Sequence, residues 1–166
     1  EQEKGHGAGA HHMATSPDGQ WLYISQIGYS VGRVKWADLK GPALQPEIFK
    51  GEVRKPGNDN DHFVLPTGVA CDAEGNVLIA DPFNDRIQVY KPDGAYLATV
   101  VTKRAQRIEV HPKTGAIYVL SWTVAGDGGA GDDGEQQDVE PLEQDIAHRE
   151  AEKGRGAAHE ARHVYG

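Results

Sequence analysis

The sequence of 166 residues lacks several features that define large classes of proteins. It has one cysteine, Cys71, so no internal disulfide can form, and we interpret this thiol, at a predicted strand position, as buried. No apolar run approaches the roughly 20 residues that a membrane-spanning helix needs. The formal net charge is −8, which argues against general nucleic-acid binding, because phosphate contacts require a basic face.

Familiar catalytic patterns are missing as well. The chain has no Ser/His/Asp order, no phosphate-binding glycine loop and no CxxC pair. Its 21 glycines are too many for a helical bundle, and they recur at turns between short apolar segments. The sequence therefore predicts an all-β fold.

Residues 62–101 contain the clearest pattern in the chain. They predict strands at 69–72, 77–80, 87–90 and 96–101, joined by turns rich in Gly, Pro, Asn and Asp. The continuous apolar run 77–80 is typical of a strand buried on both faces. Four antiparallel strands in about 40 residues match one blade of a β-propeller.

The pattern repeats along the chain. Residues 11–53 form a looser copy and residues 106–123 form part of a third, with 1–10 as a flexible entry. The equivalent turn glycines are Gly19, Gly75 and Gly115, which are 56 and 40 residues apart. The longer spacing places extra residues in the loops 39–45 and 51–61, where insertions cost little. We expect two four-stranded blades and part of a third.

Residues 124–166 differ in composition. Ten acidic residues lie between 127 and 152, and the segment is rich in glycine at its start. We expect a tail or an insertion that is largely disordered or weakly helical, with a docked helix near 140–153 as the alternative. Residues 127–133 have the composition of a calcium loop but lack EF-hand spacing, so only weak Ca²⁺ binding is conceivable there.

Residues 66–94, PTGVACDAEGNVLIADPFNDRIQVYKPDG, resemble an NHL repeat nearly position by position. The resemblance implies a β-propeller, with six blades in most relatives. A closed ring takes roughly 4–8 blades, so we expect a fragment, or a partial array completed by the remaining blades of a longer chain or by a second chain. The residues that the repeat pattern requires for its structure are Gly68, Asp72, Gly75, Asp81, Asn84, Arg86 and Gly94. The alternative for Asp81, Asn84 and Arg86 is that they face a ligand at the rim of the blade.

Histidines provide the candidate metal ligands. The segment around His62 also resembles peptidylglycine amidating lyases, zinc-bearing relatives of the NHL propellers, and the resemblance implies a metal-ligand role for His62. His11 and His12 precede the predicted innermost strand of the first copy, so His12 is a second candidate. Zn²⁺ takes about four ligands. The alternative is that these histidines form ordinary hydrogen bonds or lie on the surface, with no cofactor.

Three functions follow as hypotheses. The first is a binding platform for a protein, peptide or glycan, with loops 26–32, 39–45 and 50–61 as contact elements and Tyr29 and Phe83 as anchors. The second is a metal-dependent propeller enzyme, similar to an amidating lyase or a lactonase, using Zn or Ca. RNA binding is the least favoured, because lysine and arginine are scattered.

Overall fold

The computed structural model describes residues 10–26, 28–40, 46–124 and 135–142. Within these ranges the chain is all-β apart from two single 3₁₀ turns, at Trp36–Asp38 and Pro82–Asn84. None of the helical segments in the described ranges has the length and apolarity to cross a membrane. The strands are β1 (Ala10–Thr15), β2 (Trp21–Gln26), β3 (Ser30–Lys35), β4 (Glu47–Gly51), β5 (Gly68–Cys71), β6 (Val77–Asp81), β7 (Arg86–Tyr90), β8 (Tyr96–Val101), β9 (Ala105–Val110), β10 (Ile117–Val124) and β11 (Glu135–Leu142).

The strands form three antiparallel sheets, which are blades of a partial β-propeller. Blade 1 has the order β1-β2-β3-β4, blade 2 has β5-β6-β7-β8, and blade 3 has β9-β10-β11. The first strands of the blades contact one another, β1 with β5 and β5 with β9, so they form the inner wall. The predicted fold of two full blades and part of a third is confirmed.

Because consecutive strands are antiparallel, their connections alternate between two ends of the blades. We call one end the turn end; it holds the connections β1–β2, β3–β4, β5–β6, β7–β8 and β9–β10. The other is the rim end, with the connections β2–β3, β4–β5, β6–β7, β8–β9 and β10–β11. Contacts within each end agree with this division: the Arg54 amide donates to the Gly28 carbonyl at the rim end, and the Trp36 amide donates to the Gln20 carbonyl at the turn end.

Blade 2 has its two faces buried against its neighbours. One hydrophobic cluster, which includes Tyr23, Phe63 and Tyr90, fills the space between blades 1 and 2. A second cluster, which includes Leu78 and Ile108, lies between blades 2 and 3. All residues of β6 and β7 are buried as a result, which explains the continuous apolar run at 77–80.

The faces of blades 1 and 3 that point away from blade 2 carry exposed apolar side chains. Met13 and Ile48 lie on this face of blade 1, and their side chains are 58% and 46% exposed. On blade 3, Tyr118 alternates with the buried Ile117 and Val119 and is 40% exposed. Such faces are where further blades of a propeller pack.

Strand β11 corrects the expectation for part of the acidic segment. Residues 135–142 were expected in a disordered or weakly helical region, yet they pair with β10 from Ile117 opposite Leu142 to Val124 opposite Glu135. The free edge of β10 offers backbone N–H and C=O groups that need partners, and pairing satisfies them regardless of side-chain propensity. Residues 125–134, including the whole of the calcium-like loop 127–133, and residues 143–166 lie outside the described residues.

Two glycines with a positive φ allow the cost of backbone strain to be compared with the cost of a steric collision. Gly51 ends β4 at φ +82°, and a Cβ there would collide with the Tyr29 carbonyl oxygen and lie 2.8 Å from Ser30 Cα. Gly19 has a similar φ of +69° but open space around it. We expect Gly19→Ala to lower the free energy of unfolding by about 1–2 kcal/mol from backbone strain alone. Gly51→Ala should cost about 1 kcal/mol more, because the β2–β3 connection must also move.

Urea unfolding of both variants measures this difference, and Gly19→Ala serves as the matched control. Equal costs for the two substitutions would show that the collision at Gly51 is relieved without energetic consequence.

Candidate functional site

The structure places Asp81, Asn84 and Arg86 in one buried network at the rim end of blade 2. Asp81 ends β6 and pairs in register with Arg86, the first residue of β7. Arg86 Nε donates to Asp81 Oδ2 at 2.9 Å, and Asn84 Nδ2 donates to the same oxygen at 2.7 Å. Asp81 is fully buried and Arg86 is 7% exposed, so the charges compensate each other away from water.

This network holds the long connection between blades 1 and 2. The Arg86 guanidinium donates to three carbonyl oxygens, those of Asn58 at 2.6 Å, Asp59 at 3.0 Å and His62 at 2.8 Å. Asn84 Nδ2 donates to the Gly57 carbonyl at 2.9 Å. We call residues 57–62 the clamped loop, because its backbone carbonyls point inward onto side chains of blade 2.

Two further side chains of β7, neither of which the sequence analysis singles out, complete the clamp. Tyr90 donates its hydroxyl to the Asn60 carbonyl at 2.7 Å, and burial raises the pKa of this phenol above its ordinary value, so it remains a donor. Gln88 is fully buried and reaches the Asp59 carbonyl at 3.4 Å. A polar residue in the middle of a strand buried on both faces is the signal that could have identified Gln88.

His62 is the last residue of the clamped loop. Nδ1 donates to Asp59 Oδ1 at 2.8 Å, and Nε2 lies 3.6 Å from Glu52 Oε2. The Asp61 amide, followed by the His62 imidazole, holds the pKa of the Asp59 carboxyl below its ordinary value. Likewise Lys55 first, and His62 after it, lower the pKa of Glu52. The imidazole is therefore held between two carboxylates.

A shallow cleft of about 350 Å³ lies beside His62, and its charged groups are paired with one another. Lys50 Nζ donates to Asp61 at 2.8 Å, and Lys55 Nζ donates to Glu52 at 2.9 Å. In the described part of the chain, no three His, Cys, Asp or Glu side chains converge in a way that could hold a metal ion. His62 and His12 are thus not brought together into one metal centre by these residues.

His12 lies on the inner wall and not before it, because β1 begins at Ala10. Its Nδ1 lies 3.0 Å from the Val69 carbonyl oxygen and 3.5 Å from the Val69 amide nitrogen. Nε2 lies 4.0 Å from Glu109 on β9. The Ser25 hydroxyl donates to the Thr67 carbonyl in the same region. His12 therefore connects the first strands of all three blades.

The predicted anchors Tyr29 and Phe83 both lie at the rim end. Tyr29, in the β2–β3 connection, is partly exposed, and Phe83, in the β6–β7 connection, is 69% exposed. The predicted contact loop 50–61 is at the same end. Loop 39–45 joins β3 to β4 and belongs to the turn end, and its residues 41–45 lie outside the described part. The three predicted contact loops therefore do not share one end.

Backbone strain is distributed unequally between the two ends. Five residues other than glycine have a positive φ in the described ranges, and every one belongs to a rim-end connection. Among the turn-end residues that the structure describes, the positive-φ positions are all glycines, which adopt this conformation without strain. Strained residues tend to cluster at functional sites. The five residues at the rim end are Tyr29, Arg54, Leu65, Asp85 and Arg104.

The remaining repeat residues have structural surroundings. Gly68 lies where a Cβ would approach the Gln106 carbonyl oxygen to 2.8 Å, so blades 2 and 3 are in close contact there. Asp72 accepts hydrogen bonds from the amide and side chain of Asn76, and burial raises its pKa. Gly75 and Gly94 occupy turn-end connections at φ +84° and +87°. The lone thiol lies at the end of β5, and burial raises the pKa of Cys71 to about 12.

Comparison with known proteins supports the fold. No protein-family model matches the chain. A luciferin-regenerating enzyme matches with a TM-score of 0.56 and 20% identity over 81% of this chain and 45% of its own. The calcium-binding protein regucalcin from Agrobacterium tumefaciens matches with a TM-score of 0.53 and 22% identity over 70% of this chain and 39% of its own. An auxiliary nutrient binding protein from Bacteroides ovatus matches with a TM-score of 0.52 and 17% identity over 80% and 37%.

These neighbours are β-propeller proteins, and at this level of identity the likeness establishes the fold alone. The chain spans less than half the length of each of them. It is a β-propeller segment, a class that includes both binding scaffolds and enzymes.

Proposed function

We propose that the chain is part of an NHL-type β-propeller that acts as a binding platform, with its ligand, a protein, peptide or glycan, held at the rim end. The observation that carries this proposal is that, in the described ranges, the non-glycine left-handed residues all lie at that end. The clamped loop supports it, because a loop already fixed through its carbonyls loses little conformational entropy when a ligand binds. The remaining blades would come from a longer chain or a second chain and would cover the exposed faces of blades 1 and 3.

The test uses the full-length protein against a displayed peptide library and a glycan array. Any ligand found is then measured on two rim-end variants, Tyr29→Gly and Asn58→Ala. Glycine at 29 accommodates the φ of +75° without strain, so the fold is retained while the ring is lost. We expect both variants to bind about tenfold more weakly, as is usual for contacts near the centre of an interface.

The matched control is Glu74→Ala, an exposed residue at the turn end. This variant should bind like the parent protein. A ligand that Tyr29→Gly and Asn58→Ala retain, but Glu74→Ala loses, would place the binding surface at the wrong end and refute the proposal.

A metal-dependent enzyme is the second candidate, and one feature of His62 favours it. An imidazole whose Nδ1 donates to a carboxylate, as His62 does to Asp59, has the arrangement typical of metal-ligating histidines. Further ligands would have to come from other blades. Metal analysis of the full-length protein tests this. If the parent protein retains stoichiometric Zn or Ca and His62→Ala loses that metal, the enzyme hypothesis is favoured. If the parent protein retains neither metal and His62→Ala has the same activity as the parent, the enzyme hypothesis is eliminated.

A further inference from the structure

One corner of the rim end combines exposed apolar and basic side chains. Phe83 and Val101 are 69% and 80% exposed, and Lys103 and Arg104 follow directly after Val101 and are exposed as well. We call these four residues the basic corner. They lie together because Asp85 joins their two connections: its carbonyl accepts the Thr102 amide at 3.0 Å, and its Oδ1 accepts the Arg104 amide at 3.0 Å.

The exposure of the corner does not come from a blade that is absent. Phe83 and Val101 belong to blade 2, which has a neighbouring blade on each side in the described structure. Phe83 and Val101 are both largely exposed, on two segments that Asp85 joins by hydrogen bonds, and contiguous exposed apolar surface marks interaction sites.

The turn that carries Phe83 is fixed on both sides. Asn84 ties it to the clamped loop through the Gly57 carbonyl, and Asp85 ties it to the β8–β9 connection. Both Asp85 and Arg104 adopt left-handed backbone conformations, at φ 50° and 46°. Phe83 is thus presented by a rigid backbone, which lowers the entropic cost of using it as an anchor.

The charge of the corner contrasts with that of the chain. Lys103 and Arg104 form no ion pair with another described residue, although the chain as a whole carries −8. At the same end, Lys50 and Lys55 are neutralised by Asp61 and Glu52. The exposed Asp85 carboxylate lies in the same corner, where its Oδ1 accepts the Arg104 amide, so the two cations leave a net positive charge next to apolar surface.

We propose that the basic corner binds an acidic segment of a partner protein, in which carboxylates flank an aromatic or large apolar side chain. The carboxylates would pair with Lys103 and Arg104, and the apolar side chain would pack on Phe83 and Val101. Two cations form too small a footprint for strong phosphate-backbone binding, so a peptide is favoured over RNA. This inference rests on the proposed binding function and specifies the class of partner.

The test measures fluorescence anisotropy of labelled probes with the full-length protein. The main probe is a short synthetic peptide in which phenylalanines alternate with glutamates. Matched probes replace the glutamates with lysines, replace the phenylalanines with alanines, or use a short oligouridylate in place of a peptide. We expect the acidic phenylalanine peptide to bind tightest, and its binding to weaken as salt is raised.

Variants then locate the site. Phe83→Ala and the double variant Lys103→Gln/Arg104→Gln should each weaken binding of the acidic phenylalanine peptide by about tenfold. The matched controls lie at the turn end, where Trp36 is 51% exposed and Lys113 is exposed. Trp36→Ala and Lys113→Gln should change binding by less than about twofold.

The outcomes separate this inference from the proposed function. Tightest binding of the oligouridylate or the lysine peptide, no binding of the acidic peptide, or equal binding by the corner variants and their controls would overturn the inference. If one of these results is found but Tyr29→Gly still abolishes binding of a library ligand, the proposal of a rim-end platform stands and the proposal for the basic corner fails. If library ligands depend on turn-end residues, both proposals fail.

Discussion

Replacing Arg86 by alanine is expected to lower the free energy of unfolding by about 3–5 kcal/mol. Arg86 is 7% exposed and pairs with the fully buried Asp81. Its removal leaves that carboxylate without its cation and three carbonyls of the clamped loop without a donor. Unsatisfied buried polar groups cost far more than the same hydrogen bonds contribute when made. Equilibrium urea unfolding of the full-length protein measures the loss.

Two controls separate burial from charge. Lys55→Ala removes an exposed ion pair with Glu52 and should cost no more than about 1 kcal/mol. Arg86→Lys keeps the positive charge but cannot reach three carbonyls and Asp81 together, so it should fall between the parent and Arg86→Ala. If Arg86→Ala cost as little as Lys55→Ala, the clamped loop would not depend on this network.

The strands of blade 2 could be predicted to within about one residue, for a physical reason. Gly75 and Gly94 set the turns at φ +84° and +87°, and both faces of β6 are covered, so the local pattern and the tertiary packing agree. In blade 1, β1 begins at Ala10 and not near Met13. His11 and His12 carry no apolar alternation, and the strand around them is defined by the pairing of Ala10 and His12 with β2, with an irregularity at His11.

The sequence could not predict which backbone groups the polar side chains would contact. Asn84 and Arg86 of the blade 2 motif donate to carbonyls of residues 57–62 in another connection, and Asp81 accepts hydrogen bonds from both of these side chains. Carbonyls leave no mark in a sequence, because every residue has one. The same holds for β11, where an acidic segment pairs with the edge of β10.

The sequence does not predict the contrast between the two ends of the blades, because no local pattern signals a positive φ at Tyr29, Leu65 or Arg104. Turn chemistry predicts left-handed glycines, and it found those at the turn end. A left-handed Tyr or Leu has no propensity signal, so the end of the molecule with the strongest functional argument is the one that sequence patterns describe least.

Phe63→Ala is expected to lower the free energy of unfolding by about 3–5 kcal/mol, because it empties a phenylalanine-sized space between blades 1 and 2. Phe63 is fully buried, and its ring meets the Tyr90 ring edge-on at 6.1 Å between centroids. Its loss should also loosen Tyr90, whose hydroxyl holds the clamped loop through the Asn60 carbonyl. Urea unfolding gives the stability, and hydrogen exchange of the amides in residues 57–62 reports the loosening.

Phe83→Ala is the matched control, with the same change of side chain at a site that is 69% exposed. It should change the free energy of unfolding by less than about 0.5 kcal/mol and leave hydrogen exchange in the clamped loop unchanged. The two variants thus test opposite roles for the two rings: Phe63 stabilises the fold, while Phe83 is available to a partner. A large loss of stability in Phe83→Ala would mean that its ring packs on part of the protein itself, and the basic corner would then be a structural contact.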